Sequence, residues 1–139
     1  MATRTLRASG PADPALAWER YADPSRWAGW APHLTGVDVP VARLRAGTRG
    51  RVFAMGVPVP FQVDAVDEQS RTWAWTVSPR LGPVRLVRLH LEHGVEPEGS
   101  GSATWLRMHG PGPVVAAYAP LARLALRRLV AGPAHEGAG

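Results

Sequence analysis

The chain contains no cysteine. That excludes a disulfide scaffold, a thiolate metal centre and a cysteine nucleophile. Lysine is missing too. All sixteen basic residues are arginine, against eleven acidic ones, for a net charge of +5. Arginine-only usage beside abundant Ala, Gly and Pro reads as a GC-rich codon bias, so the basic balance says little about partners. The arginines are spread over every element, and no strand interleaves basic with aromatic residues. No nucleic-acid partner is expected.

No apolar run is long enough to span a bilayer. Residues 108–122 make an uncharged run of about 15, too short and too broken by Pro111, Pro113 and Pro120. Residues 1–7 alternate charged and apolar side chains and lack the apolar core of a signal peptide. A cytoplasmic protein is the expectation. There is no G-x-S-x-G elbow, Walker loop or dinucleotide fingerprint. His33 and His109 have no partner at ligand spacing. His90 and His93, three apart on a strand, point to opposite faces. No metal site and no cofactor are expected.

What is present suffices for one domain. The 139 residues are 45% apolar and 19% charged, enough to bury a core. A single domain over 1–131 is expected, with residues 132–139 a disordered polar tail. Residues 3–8 alternate as a strand. Asp13-Pro14 supplies an N-cap and a first-turn proline for a helix over about 14–22. Asp23-Pro24 repeats the signal for a second short helix carrying Trp27 and Trp30, stopped by Pro32.

From Gly36 the period becomes two. Expected strands are 37–41 (an edge strand, because of Pro40), 48–55, 59–66, 71–77, 84–95 and 102–109. Expected turns are 56–58, 67–70, 79–83 and 96–101. Strands joined by short turns form an antiparallel meander. Gly110-Pro111-Gly112-Pro113 leads into a last helix, 114–130. Arg123, Arg127 and Arg128 mark its wet side. Val114, Tyr118, Leu121, Ala122, Ala125, Leu126 and Leu129 form the opposite stripe. At 1.5 Å per residue it spans about 25 Å, the width of a curled sheet. Ala122 and Ala125 leave room between helix and sheet.

Several strings in this order resemble the helix-grip superfamily, the START-domain and birch-pollen-allergen-like fold also called SRPBCC. They resemble its polyketide cyclase/dehydrase-like family most. The strings are Ala12-Asp13-Pro14-Ala15-Leu16-Ala17-Trp18, Asp23-Pro24-Ser25-Arg26-Trp27-Ala28-Gly29-Trp30 and Gly47-Thr48-Arg49-Gly50-Arg51. Further on come Arg71-Thr72-Trp73-Ala74-Trp75, His93-Gly94-Val95-Glu96-Pro97 and the Gly-Pro opening the last helix. The resemblance runs from residue 3 to about 130. It implies an α+β helix-grip fold: a curved antiparallel sheet of about six or seven strands around a long C-terminal helix, with two short helices after strand 1. It also implies a cavity for a hydrophobic guest. Members bind sterols, lipids, hormones or polyketides; some catalyse cyclisation and dehydration, and others only carry ligands.

The candidate ligand-binding residues are Trp27, Trp30, Phe53, Phe61, Trp73, Trp75, Leu89, Tyr118, Leu121 and Ala125. Six Trp stand beside two Tyr and two Phe. Trp73, Trp75 and Val77 share a strand face, which either walls a cavity or fills a core; flat indoles suit a planar ligand. Arg51, His93 and Tyr118 are the candidates for chemistry, and each has a plain alternative. Arg49 and Arg51 either face an apolar pocket, where an Arg would anchor a carboxylate or polarise a carbonyl, or point outward with Val52 inside. His93 shares its face with Val87, Leu89 and Leu91, as a general acid–base or a structural group. Tyr118 either meets a core partner or offers its phenol to the cavity.

The expected function is binding of a hydrophobic, aromatic or polyketide-like small molecule between sheet and C-terminal helix, with cyclase/dehydrase chemistry an open question. The alternative is a non-catalytic lipid or quinone carrier that touches membranes peripherally through the arginine side of the last helix. A third reading is a protein-interaction module. A monomer or a homodimer fits all three.

Overall fold

The computed structural model describes residues 1–81 and 85–132. Strand β1 (Ala2–Gly10) leads to helix α1 (Pro14–Ala22). The Asp13 carboxylate accepts from the Ala15 N–H at 3.1 Å. Asp23 caps the 3-10 turn Pro24–Arg26 in the same way, and that turn runs into α2 (Trp27–Trp30). Proline follows each Asp because its missing N–H costs nothing in a first turn.

The strands that follow are β2 (Leu34–Asp38), β3 (Arg49–Ala54), β4 (Val57–Asp67), β5 (Thr72–Val77), β6 (Arg80–Leu81), β7 (Arg85–Leu86), β8 (Leu89–Glu98) and β9 (Gly101–Gly110). Helix α3 (Gly112–Leu129) closes the described chain. Seven strands form one antiparallel sheet in the order β1-β9-β8-β5-β4-β3-β2, and β6 pairs with β7 separately. This is the helix-grip architecture: first and last strands are neighbours, and α3 packs on β1, β9 and α2.

Four expected boundaries are corrected. The turn placed at 56–58 is the pair Met55-Gly56, with φ of 51° and 83°. Two successive left-handed residues give the tight hairpin turn that matches strand twist, so Val57 and Pro58 already pair with Ala54 and Phe53. The turn placed at 96–101 is only Gly99-Ser100, since Glu98 pairs with Gly101. The strand placed at 84–95 is interrupted, with β7 ending at Leu86 and β8 starting at Leu89; residues 82–84 lie outside the described residues. Strand β2 is an edge strand, as its proline suggested, but it ends at Asp38, short of Pro40. Of the tail, residues 133–139 also lie outside the described residues.

Register sets the inner face. Trp73 stands opposite His93, His93 opposite Leu106, and Leu106 opposite Leu6. One step along, Val63, Trp75, Leu91 and Met108 form a second row. All eight are buried. Alternation turns His90, Glu92, Arg107 and His109 to the other face. At Gly94 a Cβ would strike the Trp105 indole, so no larger residue fits there.

The short helices are tied down by their own indoles. Trp27 Nε1 donates to the Tyr21 carbonyl and Trp30 Nε1 to the Arg20 carbonyl, both at 2.8 Å. Trp18 Nε1 donates to Glu68 Oε1 at 2.6 Å. Arg20, only 2% exposed, donates to the carbonyls of Leu129 (2.7 Å) and Ala131 (2.6 Å). A guanidinium there satisfies carbonyls with no helical partner and complements the negative end of the helix dipole. Among the described residues no helix is long and apolar enough to cross a membrane.

Candidate functional site

Between the inner face of the sheet and α3 lies a cavity of about 230 Å³. A single water needs only a small fraction of that. The wall is built chiefly from Trp27 and Trp30 of α2, Val52 and Ala54 of β3, Trp73, Trp75 and Val77 of β5, Leu89, Leu91 and His93 of β8, and Tyr118, Leu121, Ala122 and Ala125 of α3. The floor is thus a set of inward positions on neighbouring strands, and the roof is one helix stripe. Ala122 and Ala125 are buried α3 residues that line the cavity between larger ones. Their short side chains leave the helix unable to reach the indoles, and the space stays open.

Most of the predicted ligand-binding residues meet here. Trp27, Trp30, Trp73, Trp75, Leu89, Tyr118, Leu121 and Ala125 line the cavity. Phe61 does not: it is buried behind the wall, 5.1 Å from Trp75 and 5.8 Å from Trp27 between ring centroids. Phe53 does not either. It faces outward and carries the Arg51 guanidinium over its ring. The alternation of β3 put Arg51 and Phe53 on one face, and that face is the outer one. Arg51 donates to Asp38 at 2.8 Å with both side chains more than half exposed. Val52 is the inward residue. Arg51 is therefore no cavity group, because nothing inside would offset the loss of its hydration.

The aromatic wall is continuous. Trp73 stacks on Trp27 at 5.7 Å and meets Trp75 at 5.1 Å. His93 stacks on Trp73 at 4.4 Å and 12°, and its edge meets Tyr21 at 5.1 Å. Burial, with a smaller push from His90, drives the His93 pKa down to about 3. It is neutral near pH 7 and a poor base there.

Tyr118 lies on α3 among the lining residues, and burial raises its pKa to about 12. Its partner is His33 Nε2, 3.4 Å away. His33, in the link between α2 and β2, also lines the cavity, and burial lowers its pKa. The sequence reading missed His33 because it looked for metal-ligand spacing. The available signal was position, just after the Trp27–Trp30 helix. Met55 was missed too: it shares parity with Arg51 and Phe53, but its place in the tight turn frees it from their alternation. Its N–H donates to the His33 carbonyl at 2.9 Å, which holds the β3–β4 tip at the cavity.

Among the described residues, the lining contains no Asp, Glu or Arg. Among the same residues, the buried ring nitrogens of His33, Trp73, Trp75 and His93 have no hydrogen-bond partner. Such groups are costly to leave unpaired in an apolar place. Among the described residues no cluster of three or more His, Asp or Glu is arranged to hold a metal ion.

The fold is shared with solved structures. Ara h 8.0201 is similar at 16% identity over 99% of this chain and 96% of that one, with a TM-score of 0.74. A hypothetical protein of Helicobacter pylori is similar at 15% identity over 92% and 84%, TM-score 0.75. The di-domain ARO/CYC BexL from the BE-7585A biosynthetic pathway is similar at 18% identity over 94% of this chain and 45% of that one, TM-score 0.74. Identities this low speak for the fold alone. No curated protein matches the chain. The family described as polyketide cyclase / dehydrase and lipid transport matches residues 1–135. With nearly the whole chain matched, its strand order and gripped helix in place and a hydrophobic cavity beneath that helix, the protein belongs to this family.

Proposed function

We propose that the protein binds a hydrophobic, aromatic or polyketide-like small molecule in the cavity between the sheet and α3. The observation that carries this is the cavity itself: about 230 Å³, walled by Trp27, Trp73 and Trp75 and, among the described residues, without a charged side chain in its lining. Flat indoles favour a planar guest, and burial of its apolar area drives uptake at about 25 cal/mol per Å². Cyclisation or dehydration of a flexible chain would be promoted here by shape, with Tyr118 and His33 as the polar groups at hand.

A second reading, a non-catalytic carrier of a lipid or quinone, is favoured by one specific feature. His93, the clearest acid–base candidate, is locked in a ring stack and neutral over the whole physiological range. The enclosure is better built than the chemistry.

The test is uptake of a neutral apolar fluorophore, followed by displacement. Aromatic polyketides displace it in the first reading, and lipids or quinones in the second. Ala125→Trp fills the space beneath α3 and abolishes uptake. Unchanged uptake in that variant, with cooperative unfolding retained, contradicts the placement of the site. Turnover of a linear polyketide substrate, followed by mass spectrometry, separates an enzyme from a carrier.

A further inference from the structure

Tyr21 is fully buried and Tyr118 half-buried, and their hydroxyls are not equally well partnered. Thr104 Oγ1 donates to the Gly94 carbonyl at 2.9 Å, so the Tyr21 hydroxyl, 2.6 Å away, donates to Thr104. Among the described residues Tyr118 has only the His33 contact at 3.4 Å, with the two rings edge to face at 5.4 Å. Hydroxyl hydrogen bonds normally close to about 2.7–3.0 Å. The other imidazole nitrogen, His33 Nδ1, is buried and has no partner among the described residues. Two polar side chains at one place in an apolar wall are thus both left short of partners.

We propose that the His33–Tyr118 pair is the polar anchor of the cavity and selects a neutral aromatic guest bearing a hydroxyl, whose oxygen sits beside the pair within reach of both the Tyr118 hydroxyl and His33 Nε2. This rests on the reading of the cavity as a binding site. A hydroxyl both accepts and donates. It accepts from the Tyr118 O–H and donates to His33 Nε2 when the imidazole proton is on Nδ1. With the other tautomer the two roles exchange, and the pair still presents one donor and one acceptor. A ketone can meet only the donor. Near neutral pH both side chains are uncharged, since burial raises the phenol and lowers the imidazole.

Charge is the second selector. Among the described residues, the titratable side chains in the lining are His33, His93 and Tyr118, with no arginine among them to meet a carboxylate and no carboxylate to meet an amine. An ionised guest would give up its hydration with no counter-charge in return. The His33 carbonyl that holds Met55, itself 69% exposed, places the anchor on the side where the wall reaches solvent. The ring system of the guest then lies inward against the indoles.

Three two-ring probes separate the contributions: naphthalene, 2-naphthol and 2-naphthoate, each measured by equilibrium dialysis. Expected is 2-naphthol about tenfold tighter than naphthalene, the equivalent of one net hydrogen bond, and 2-naphthoate weakest. Tyr118→Phe, which removes one oxygen from the wall, erases the advantage of 2-naphthol over naphthalene measured in the same variant. His33→Phe does the same. If naphthalene binds and 2-naphthol gains nothing over it, or both variants keep the gain, the anchor is overturned while the cavity stands. If 2-naphthoate binds as tightly as 2-naphthol, the selection for neutral guests is overturned. If none of the three binds, the cavity reading falls and the anchor with it.

Discussion

His90 and His93 stand three residues apart on one strand and sit in different surroundings. His90 is partly exposed and 3.3 Å from Asp64 on the outer face. His93 is enclosed by Trp73 and Tyr21, and its pKa falls to about 3. In the unfolded chain it returns to about 6.5. Between those values the unfolded state binds a proton that the folded state refuses. Stability is therefore complete above about pH 6.5 and is lost as pH falls, by at most about 1.4 kcal/mol per pH unit for this group. His93→Phe, which keeps a flat ring in the stack, flattens this dependence. Urea unfolding from about pH 6.5 to about pH 5 checks it. Wild type loses stability faster than the variant, and parallel profiles contradict the account. His33 adds the same sign of effect, but it is present in both proteins and cancels in the comparison.

At the scale of elements, α3 has to stay over a partly empty space, and its far end is what holds it. The last carbonyls of α3 converge on the buried Arg20 of α1, and the Gly10–Ala12 segment reaches the same end through the Ala12 N–H to Val130 carbonyl bond at 3.0 Å. Hydrogen bonds from a charged donor contribute about 1.5–3 kcal/mol each. Arg20→Leu is expected to cost about 3 kcal/mol in urea unfolding, with faster amide exchange in the last turn of α3. A loss below about 0.5 kcal/mol would place Arg20 among ordinary surface substitutions and contradict the latch. The sequence carries a sign of this role. Ala17, Arg20 and Tyr21 fall on one helical face, so Arg20 was on the inner side of α1 from the start. What the sequence does not show is which carbonyls it would meet, because they come from more than a hundred residues away.

At the scale of the whole molecule, the fold was legible and the site was legible by half. Asp-Pro caps, period-two strands and a one-sided final helix are local signals, and each acts locally. Turn lengths were misjudged because charge and glycine content mark a turn region without fixing which residues leave the ladder. Glu96 to Glu98 stay paired in β8 despite their polarity. Trp73 and Trp75 were recognisable because alternation assigns them together. The choice of inner face for β3 was not, since Arg51 and Val52 alternate equally well either way. The register of the whole sheet decided it, putting the residue that needs no hydration inside. His33 became visible only when tertiary packing brought the α2–β2 link against α3.

The central claim is that sheet and helix enclose an apolar space that the chain itself does not fill. Diffraction from crystals pressurised with xenon tests it most directly, because xenon collects in dry apolar cavities of this kind. The account predicts xenon density beneath Ala122 and Ala125, against Trp75 and Leu91. An interior closed by side-chain packing, with no xenon between α3 and the indoles, would contradict it.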